Sequence, residues 1–420
     1  MSKCYEVIGR PNINGTIKVQ GSKNAALSII VAALLVKDVV VLDNVPNIKD
    51  VHELLSIIKL ANVKVSFIDN CLIIDSSEIK YTSLLVEQVK NFRASYYLIG
   101  AFLTLFKKVE IFLPGGCKIG KRPIDQHIKG LNSLNINLCF NNETLKASAS
   151  TIIGNDVTLD IPSVGATINI ILASLCAEGK TFIKNAAKEP EIIDFISFLN
   201  KIGANISGAG SEVIVVTPTL NFHKVNYSIM PDRIVTQTYL LYGALLADKL
   251  TLTNISTKDN YSLINTLINM GAQIDIRNNY LTIYKFSSFE KANIKTGVFP
   301  LFPSDIQQIM CAFLFNGTSV SIVEETLFEN RFIFLEEIEK MGGKYFVYDN
   351  KAIIVPSILK GQIVSCSDLR GGAAILLSCL CAKGTSIIKN VEYIERGYEN
   401  IVKTLQSINV NIKEIDYYEA

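Results

Sequence analysis

The sequence predicts an α/β (α+β) protein in which buried parallel helices are surrounded by sheets, built from six repeats and folded as two domains of three repeats each. Three observations lead there. First, one phrase recurs about every 70 residues: an apolar helix, a short turn, a strand, an amphipathic helix and two further strands. Second, the helices before the turns, such as 25–36, 164–177 and 372–382, are apolar on nearly every side. A helix apolar all round must be buried all round. Third, these helices begin with polar or charged residues although their bodies are overwhelmingly apolar and carry no charge.

The turns that punctuate the repeat read Lys37-Asp38, Lys107-Lys108, Glu178-Gly179, Asp248-Lys249, Asn316-Gly317 and Lys383-Gly384. An asparagine follows the next strand at Asn44, Asn185, Asn254 and Asn390; Pro114 and Val323 fall at the two remaining places. The amphipathic helices come next. Ile124, Ile128, Leu131 and Leu134 share one face of the second, and Tyr398, Ile401, Leu405 and Ile408 one face of the sixth, each at helical spacing.

The helix starts carry Ser22-Lys23-Asn24, Asn91-Phe92-Arg93, Ser163-Val164-Gly165, Asp232-Arg233, Ser304-Asp305 and Asp368-Leu369-Arg370. Ser, Asn and Asp suit N-caps. Arg and Lys do not, because the positive end of the helix dipole repels them. Cations held there point to a bound anion that outweighs the repulsion, hence to a phosphate-bearing ligand. Within this set, Ser304 is read as the cap that leaves Asp305 free, and Arg233 as structural.

Composition narrows the function classes. Hydrophobic residues make up 49% and charged residues 19% of the chain, which marks a globular protein. A net charge of +2 gives no general attraction to nucleic acid or to an anionic membrane. The nine cysteines form no CxxC pair and no disulfide framework. The opening residues lack the apolar core of a signal peptide, and the longest apolar runs are too short to span a bilayer. A reduced, cytoplasmic protein is expected. The first domain is placed at 22–229 and the second at 1–21 with 230–420, joined by two crossings, with the active site expected between them.

One loop concentrates reactive groups. Between Phe112 and His127 lie Gly115, Gly116, Gly120 and Pro114, together with a thiol at Cys117, three cations, Asp125 and one of the chain's three histidines. Glycines let such a segment approach a ligand closely and move as a lid. Cations beside Cys117 lower a thiol pKa.

These residues carry a family resemblance. Gly21-Ser22-Lys23-Asn24-Ala25-Ala26, Phe92-Arg93-Ala94-Ser95, Leu113-Pro114-Gly115-Gly116-Cys117, Arg122-Pro123 and Ser163-Val164-Gly165-Ala166-Thr167 resemble the UDP-N-acetylglucosamine enolpyruvyl transferases. So do Asn185-Ala186-Ala187-Lys188-Glu189-Pro190-Glu191, Pro303-Ser304-Asp305, Phe328-Glu329-Asn330-Arg331-Phe332, Asp368-Leu369-Arg370 and Arg396-Gly397-Tyr398-Glu399. The match runs in order from the first residues to the last helix.

The resemblance implies two inside-out α/β barrel domains and transfer of the enolpyruvyl group of phosphoenolpyruvate to the 3-hydroxyl of UDP-N-acetylglucosamine, an early step of peptidoglycan synthesis. It implies addition and elimination with phosphate released, and neither metal nor organic cofactor. Phosphoenolpyruvate and UDP-N-acetylglucosamine would be the partners, with no nucleic acid and no membrane. By the same resemblance, Lys23, Arg122 and Arg396 clamp the donor beside Asn24, and Arg331 and Arg370 support the same anion. Cys117 is the acid, and Asp305 takes the hydroxyl proton. Arg93, Arg122, Pro123, Ile124, Asp125, Gln126, His127, Ser163, Val164, Gly165 and Leu327 would hold the nucleotide sugar. The sequence departs from the family pattern at Asp160-Ile161-Pro162, Val235, Gln237, Leu301 and Glu395. Two rival functions share many of these features: the shikimate-pathway enolpyruvyl transferase, and a non-catalytic regulator that binds UDP-N-acetylglucosamine.

Overall fold

The computed structural model describes residues 2–113, 124–141 and 143–417. The lid expected from Pro114 onward, with Cys117, Arg122 and Pro123, lies outside them. The chain divides into two compact units, one holding residues 2–20 and 231–417 and the other residues 21–113 and 124–230.

The helices with apolar residues on every side are buried on every side. Every residue from Ala25 to Ala33 is buried in the Lys23–Ala33 helix, and every one from Ala166 to Ser174 in the Val164–Ser174 helix. The same holds from Arg370 to Cys381 in the Leu369–Cys381 helix. In one unit Tyr97–Phe106 packs on Val164–Ser174; in the other Ser304–Leu314 packs on both Leu369–Cys381 and Arg233–Leu246. Few polar groups enter these contacts, and two of them bridge neighbouring helices. Asn169 accepts from the Gly100 N–H at 2.7 Å, and Thr104 donates to the Leu172 carbonyl at 2.6 Å. Gly100 has to be glycine here, since a Cβ would stand 2.8 Å from the Asn169 carbonyl oxygen.

Around these helices the described residues form six sheets, five of four strands and one of three. Val39–Asp43 shows the plan. It pairs antiparallel with Cys71–Asp75 and parallel with Asn226–Ser228, so a distant strand closes the edge of a local meander. Its residues alternate between buried and exposed, so one face of the sheet meets the helices. In the sheet of the last repeat, Ser2–Ile8 lies between Thr385–Lys389 and Ile412–Tyr417, which ties the start of the chain to its end.

The recurring asparagines have a common job. Asn44, Asn185, Asn254 and Asn390 have φ of 57°, 55°, 54° and 55°, the left-handed region that asparagine tolerates better than most residues. Each ends a strand and turns its side-chain amide across to the parallel neighbour. The acceptors are the carbonyls of Ile229, Leu159 and Val19 at 2.8, 3.0 and 2.7 Å, and the Ser365 hydroxyl at 2.7 Å. Val323 is not the fifth member, because it lies inside the strand Ser321–Glu324. The equivalent residue is Glu325. The backbone N–H groups of Ile229, Leu159, Val19, Thr296 and Cys366 donate to the carbonyls of Asp43, Lys184, Thr253, Glu324 and Lys389. The residue after each acceptor is therefore the matching position.

Four helix starts are capped by the residues expected: Ser22, Ser163, Asp232 and Asp368 each accept backbone N–H groups of the first turn. The other two differ. Arg93 begins a 3-10 turn, Arg93–Tyr96, that runs into the Tyr97–Phe106 helix. Ser304 does not cap its helix and Asp305 is not left free. The helix begins at Ser304 with Pro303 at the cap position, and both side chains are engaged elsewhere.

Candidate functional site

The helix start at Ser304 carries the densest set of interactions among the predicted site residues. Arg331 is buried, and its guanidinium spans two neighbours: Nη1 donates to the Ser304 hydroxyl and Nη2 to Asp305 Oδ1, both at 2.7 Å. The Phe328 ring lies 4.7 Å from the same guanidinium. The other oxygen of Asp305 is 3.8 Å from Arg370 Nη2. Arg370 in turn donates to the Tyr398 hydroxyl at 3.3 Å, and that hydroxyl shares a hydrogen bond with Thr238 at 2.9 Å.

Burial alone would push the Asp305 carboxyl up. Arg370, Arg331 and Arg233 overcome that and hold it well below the usual carboxylate range. Arg233 therefore belongs to the electrostatic surroundings of Asp305 and is not merely structural. The sequence hid this, since Arg233 stands 72 positions before Asp305 and only the packing of their helices relates them.

Arg396 follows the short Glu392–Glu395 helix and is half-buried. The segment after it is held by Gln20, whose amide nitrogen donates to the Gly397 carbonyl at 3.1 Å while its oxygen accepts from the Glu399 N–H at 2.8 Å. Leu327 is 44% exposed, and its N–H donates to Glu325. Asp305, Leu327, Arg331, Arg370 and Arg396 all lie in the unit of residues 2–20 and 231–417.

The remaining described candidates lie in the other unit. Lys23 is the first residue of its helix, with Nζ 3.0 Å from Asp50 Oδ2 in a pair that is largely buried. Asn24 beside it is half-buried. Asp50, which sequence reasoning missed, sits in the first turn of the Lys49–Lys59 helix.

A second cluster in this unit joins Arg93, His127 and the 163–165 helix start. The Tyr96 ring lies 5.8 Å from the Arg93 guanidinium and 5.8 Å from the His127 ring. A Cβ on Gly165 would stand 2.8 Å from His127 Nε2, so glycine is what lets the imidazole press on that helix start. His127 is buried, and among the described residues neither ring nitrogen has a hydrogen-bond partner. Burial, reinforced by Arg93 and opposed by Asp125, pushes its pKa down to about 4, so the ring is neutral at pH 7.

Ser163, Val164 and Gly165 remain half-buried, and Ile124 lines a small apolar cavity with His127, Tyr96 and Leu131. Asp125 is exposed, and its Oδ2 accepts from the Gln126 amide at 2.8 Å. Gln126 also binds Asp160 in both directions: its amide donates to the carboxylate at 3.1 Å and its oxygen accepts from the Asp160 N–H at 2.8 Å. The departure at 160–162 thus has a structural part, since Asp160 orients Gln126 while Ile161 points outward, 59% exposed.

Among the described residues, no group of His, Cys, Asp and Glu is arranged to hold a metal ion, and no helix is long and apolar enough to cross a membrane.

The chain resembles known proteins over its whole length. A family model described as EPSP synthase (3-phosphoshikimate 1-carboxyvinyltransferase) matches residues 7–405. A UDP-N-acetylglucosamine 1-carboxyvinyltransferase from Clostridium botulinum is 41% identical over 416 residues, covering 98% of this chain and 99% of the relative. A UDP-N-acetylglucosamine 1-carboxyvinyltransferase 2 from Staphylococcus aureus is 40% identical over 411 residues, covering 98% of each. Among solved structures, the enolpyruvyl transferase NikO from Streptomyces tendae superposes with a TM-score of 0.88 at 20% identity, covering 98% of this chain and 99% of that one. An EPSP synthase from Acinetobacter baumannii superposes with a TM-score of 0.78 at 14% identity, covering 99% and 100%. The last two likenesses bear on the fold alone.

Proposed function

The chain belongs to the UDP-N-acetylglucosamine 1-carboxyvinyltransferase family, and on that premise we propose that it transfers the enolpyruvyl group of phosphoenolpyruvate to the 3-hydroxyl of UDP-N-acetylglucosamine. The carrying observation is the end-to-end similarity to relatives of that name. The surroundings of Asp305 support it, because they keep the carboxylate ionised and fix its orientation through Arg331, so that it can accept a hydrogen bond from the sugar hydroxyl.

In this reading the sugar oxygen adds to C2 of phosphoenolpyruvate as its proton passes to Asp305. Cys117 delivers a proton to C3. The tetrahedral adduct then loses phosphate from C2 and a proton from C3, which restores the double bond in the product. Lys23, Arg122 and Arg396 neutralise the donor's phosphate and carboxylate, with Asn24 beside them and Arg331 and Arg370 adding to the positive field. Arg93, Pro123, Ile124, Asp125, Gln126, His127, Ser163, Val164, Gly165 and Leu327 hold the nucleotide sugar. A neutral His127 offers one donor and one acceptor to that ligand without adding charge. The same reading takes the domains as 22–229 and 1–21 with 230–420, each an inside-out barrel of three repeats. It places the reaction in the cytoplasm at the entry to peptidoglycan synthesis.

The test is phosphate release by the pure protein with phosphoenolpyruvate, supplied with either UDP-N-acetylglucosamine or shikimate 3-phosphate. Release with the first acceptor alone is expected. Release only with the second would establish the shikimate-pathway activity, and binding of the nucleotide sugar without release would establish a regulator.

A further inference from the structure

Glu325 is a buried carboxylate that the reaction scheme leaves without a role, although both of its oxygens are committed. Oε2 accepts from the Ser304 hydroxyl at 2.7 Å, and Oε1 accepts from the backbone N–H groups of Leu327 and Phe328 at 2.8 and 3.3 Å. Ser304 accepts from Arg331, which donates to Asp305. The order of donors matters. A guanidinium has only hydrogens to offer, so the Ser304 hydrogen must point away from it, and a carboxylate oxygen is there to receive it. Glu325 thereby sets the Ser304 lone pairs toward Arg331, and Arg331 sets the Asp305 carboxylate.

The repeat supplies independent support. Glu325 stands where four other repeats place a left-handed asparagine that ties two parallel strands together. In this repeat the tie is made by threonines: the Thr326 hydroxyl donates to the Thr296 carbonyl, and the Thr326 N–H donates to the Thr296 hydroxyl, both at 2.9 Å. Glu325 is not in the left-handed region. The strand junction is therefore secured without its side chain, which turns instead to Ser304 and to the segment that carries Leu327.

We propose that Glu325 is a positioning residue for the transfer: through Ser304 and Arg331 it orients the Asp305 carboxylate, and through two backbone N–H groups it holds the Leu327 segment. The role rests on the function proposed above. Its test is steady-state kinetics of Glu325→Gln, Ser304→Ala and the double variant, each checked for folding by circular dichroism. Replacing one carboxylate oxygen by an amide puts donor against donor on one side of Glu325, and Ser304→Ala removes the link while leaving the carboxylate.

Each single variant is expected to lower kcat about 10- to 100-fold, part of what a positioned base contributes, with KM for phosphoenolpyruvate within about twofold. The double variant should be no worse than the worse single one, since both cut one chain of contacts. Single variants with near wild-type kcat, or losses that multiply in the double variant, would overturn the role. Should Glu325→Gln fail to fold, Ser304→Ala decides alone, and an unchanged kcat overturns it. A wild-type protein that releases no phosphate removes the transferase reading itself, whereas an active wild type with unaffected variants removes only Glu325.

Discussion

Arg331 Nη2 lies 2.7 Å from Asp305 Oδ1, and this contact joins the start of the Ser304–Leu314 helix to a loop 26 residues further along the chain. Together with Arg370 and Arg233, it holds the Asp305 carboxyl below the usual carboxylate range against the opposing effect of burial. A depressed carboxyl pKa keeps the ionised form down into the acid range, and its contribution to stability is present above the unfolded-state value near 4 and lost as pH falls below it. Wild-type kcat should therefore show no acid limb from Asp305 between about pH 5 and 8. Arg331→Met removes one cation and leaves the burial, so the carboxyl pKa rises. A pH profile of that variant should show a kcat lower by about 100-fold or more and an acid limb that has moved upward.

Asp50 holds Lys23 at 3.0 Å in a pair of low exposure. Asp50→Asn keeps the shape but removes the charge that fixes the ammonium. Kinetics with phosphoenolpyruvate varied should give kcat/KM about tenfold lower, while Lys23→Ala should lose more, because it removes the cation itself. An Asp50→Asn enzyme with unaltered kcat/KM would show that Lys23 needs no such support.

His127 titrates at about 4 when folded and near 6.5 when unfolded. Its neutral form is the one compatible with the fold, so stability is full above the unfolded value and declines as pH falls from about 6.5 to 4. His127→Phe removes the proton-binding group from both states. Melting curves across this window should show the wild-type Tm falling more steeply than that of the variant.

Asn254 combines a left-handed backbone with an amide bond to the Val19 carbonyl. Asn254→Gly keeps the left-handed backbone but removes the side-chain amide with its bond to Val19, and should cost about 1 kcal/mol in denaturant unfolding. Asn254→Ala also removes the amide but keeps a Cβ without asparagine's tolerance of positive φ, and should cost about 2 kcal/mol. Equal costs would show that φ at this position carries no penalty.

Cys117 is assigned its role by family resemblance alone. Cys117→Ala should lose most turnover in the phosphate-release assay while retaining UDP-N-acetylglucosamine binding. Cys117→Asp should stay active, because a carboxylic acid can also donate a proton. An alanine variant that turns over like wild type would remove the thiol from the mechanism.

Much was written in the order of residues. Helix bodies such as Ala25 to Ala33 contain no polar face, so their burial followed from composition, and Ser22, Ser163, Asp232 and Asp368 marked where those helices start. The asparagine spacing located the strand ends, because few other residues accept a left-handed backbone. The cations at the helix starts pointed to an anion because nothing in a helix N-terminus favours positive charge.

What the sequence could not supply is which group each charged residue faces. Ser304 looked like a cap and became a link between Glu325 and Arg331; Asp305 looked free and is held by Arg331; Arg233 looked structural and helps keep Asp305 ionised. These outcomes depend on distances between segments far apart along the chain, and Coulomb energy and hydrogen bonding fall steeply over a few ångströms. Periodicity alone set where helices and strands run; only the packed tertiary structure decided which carboxylate meets which arginine.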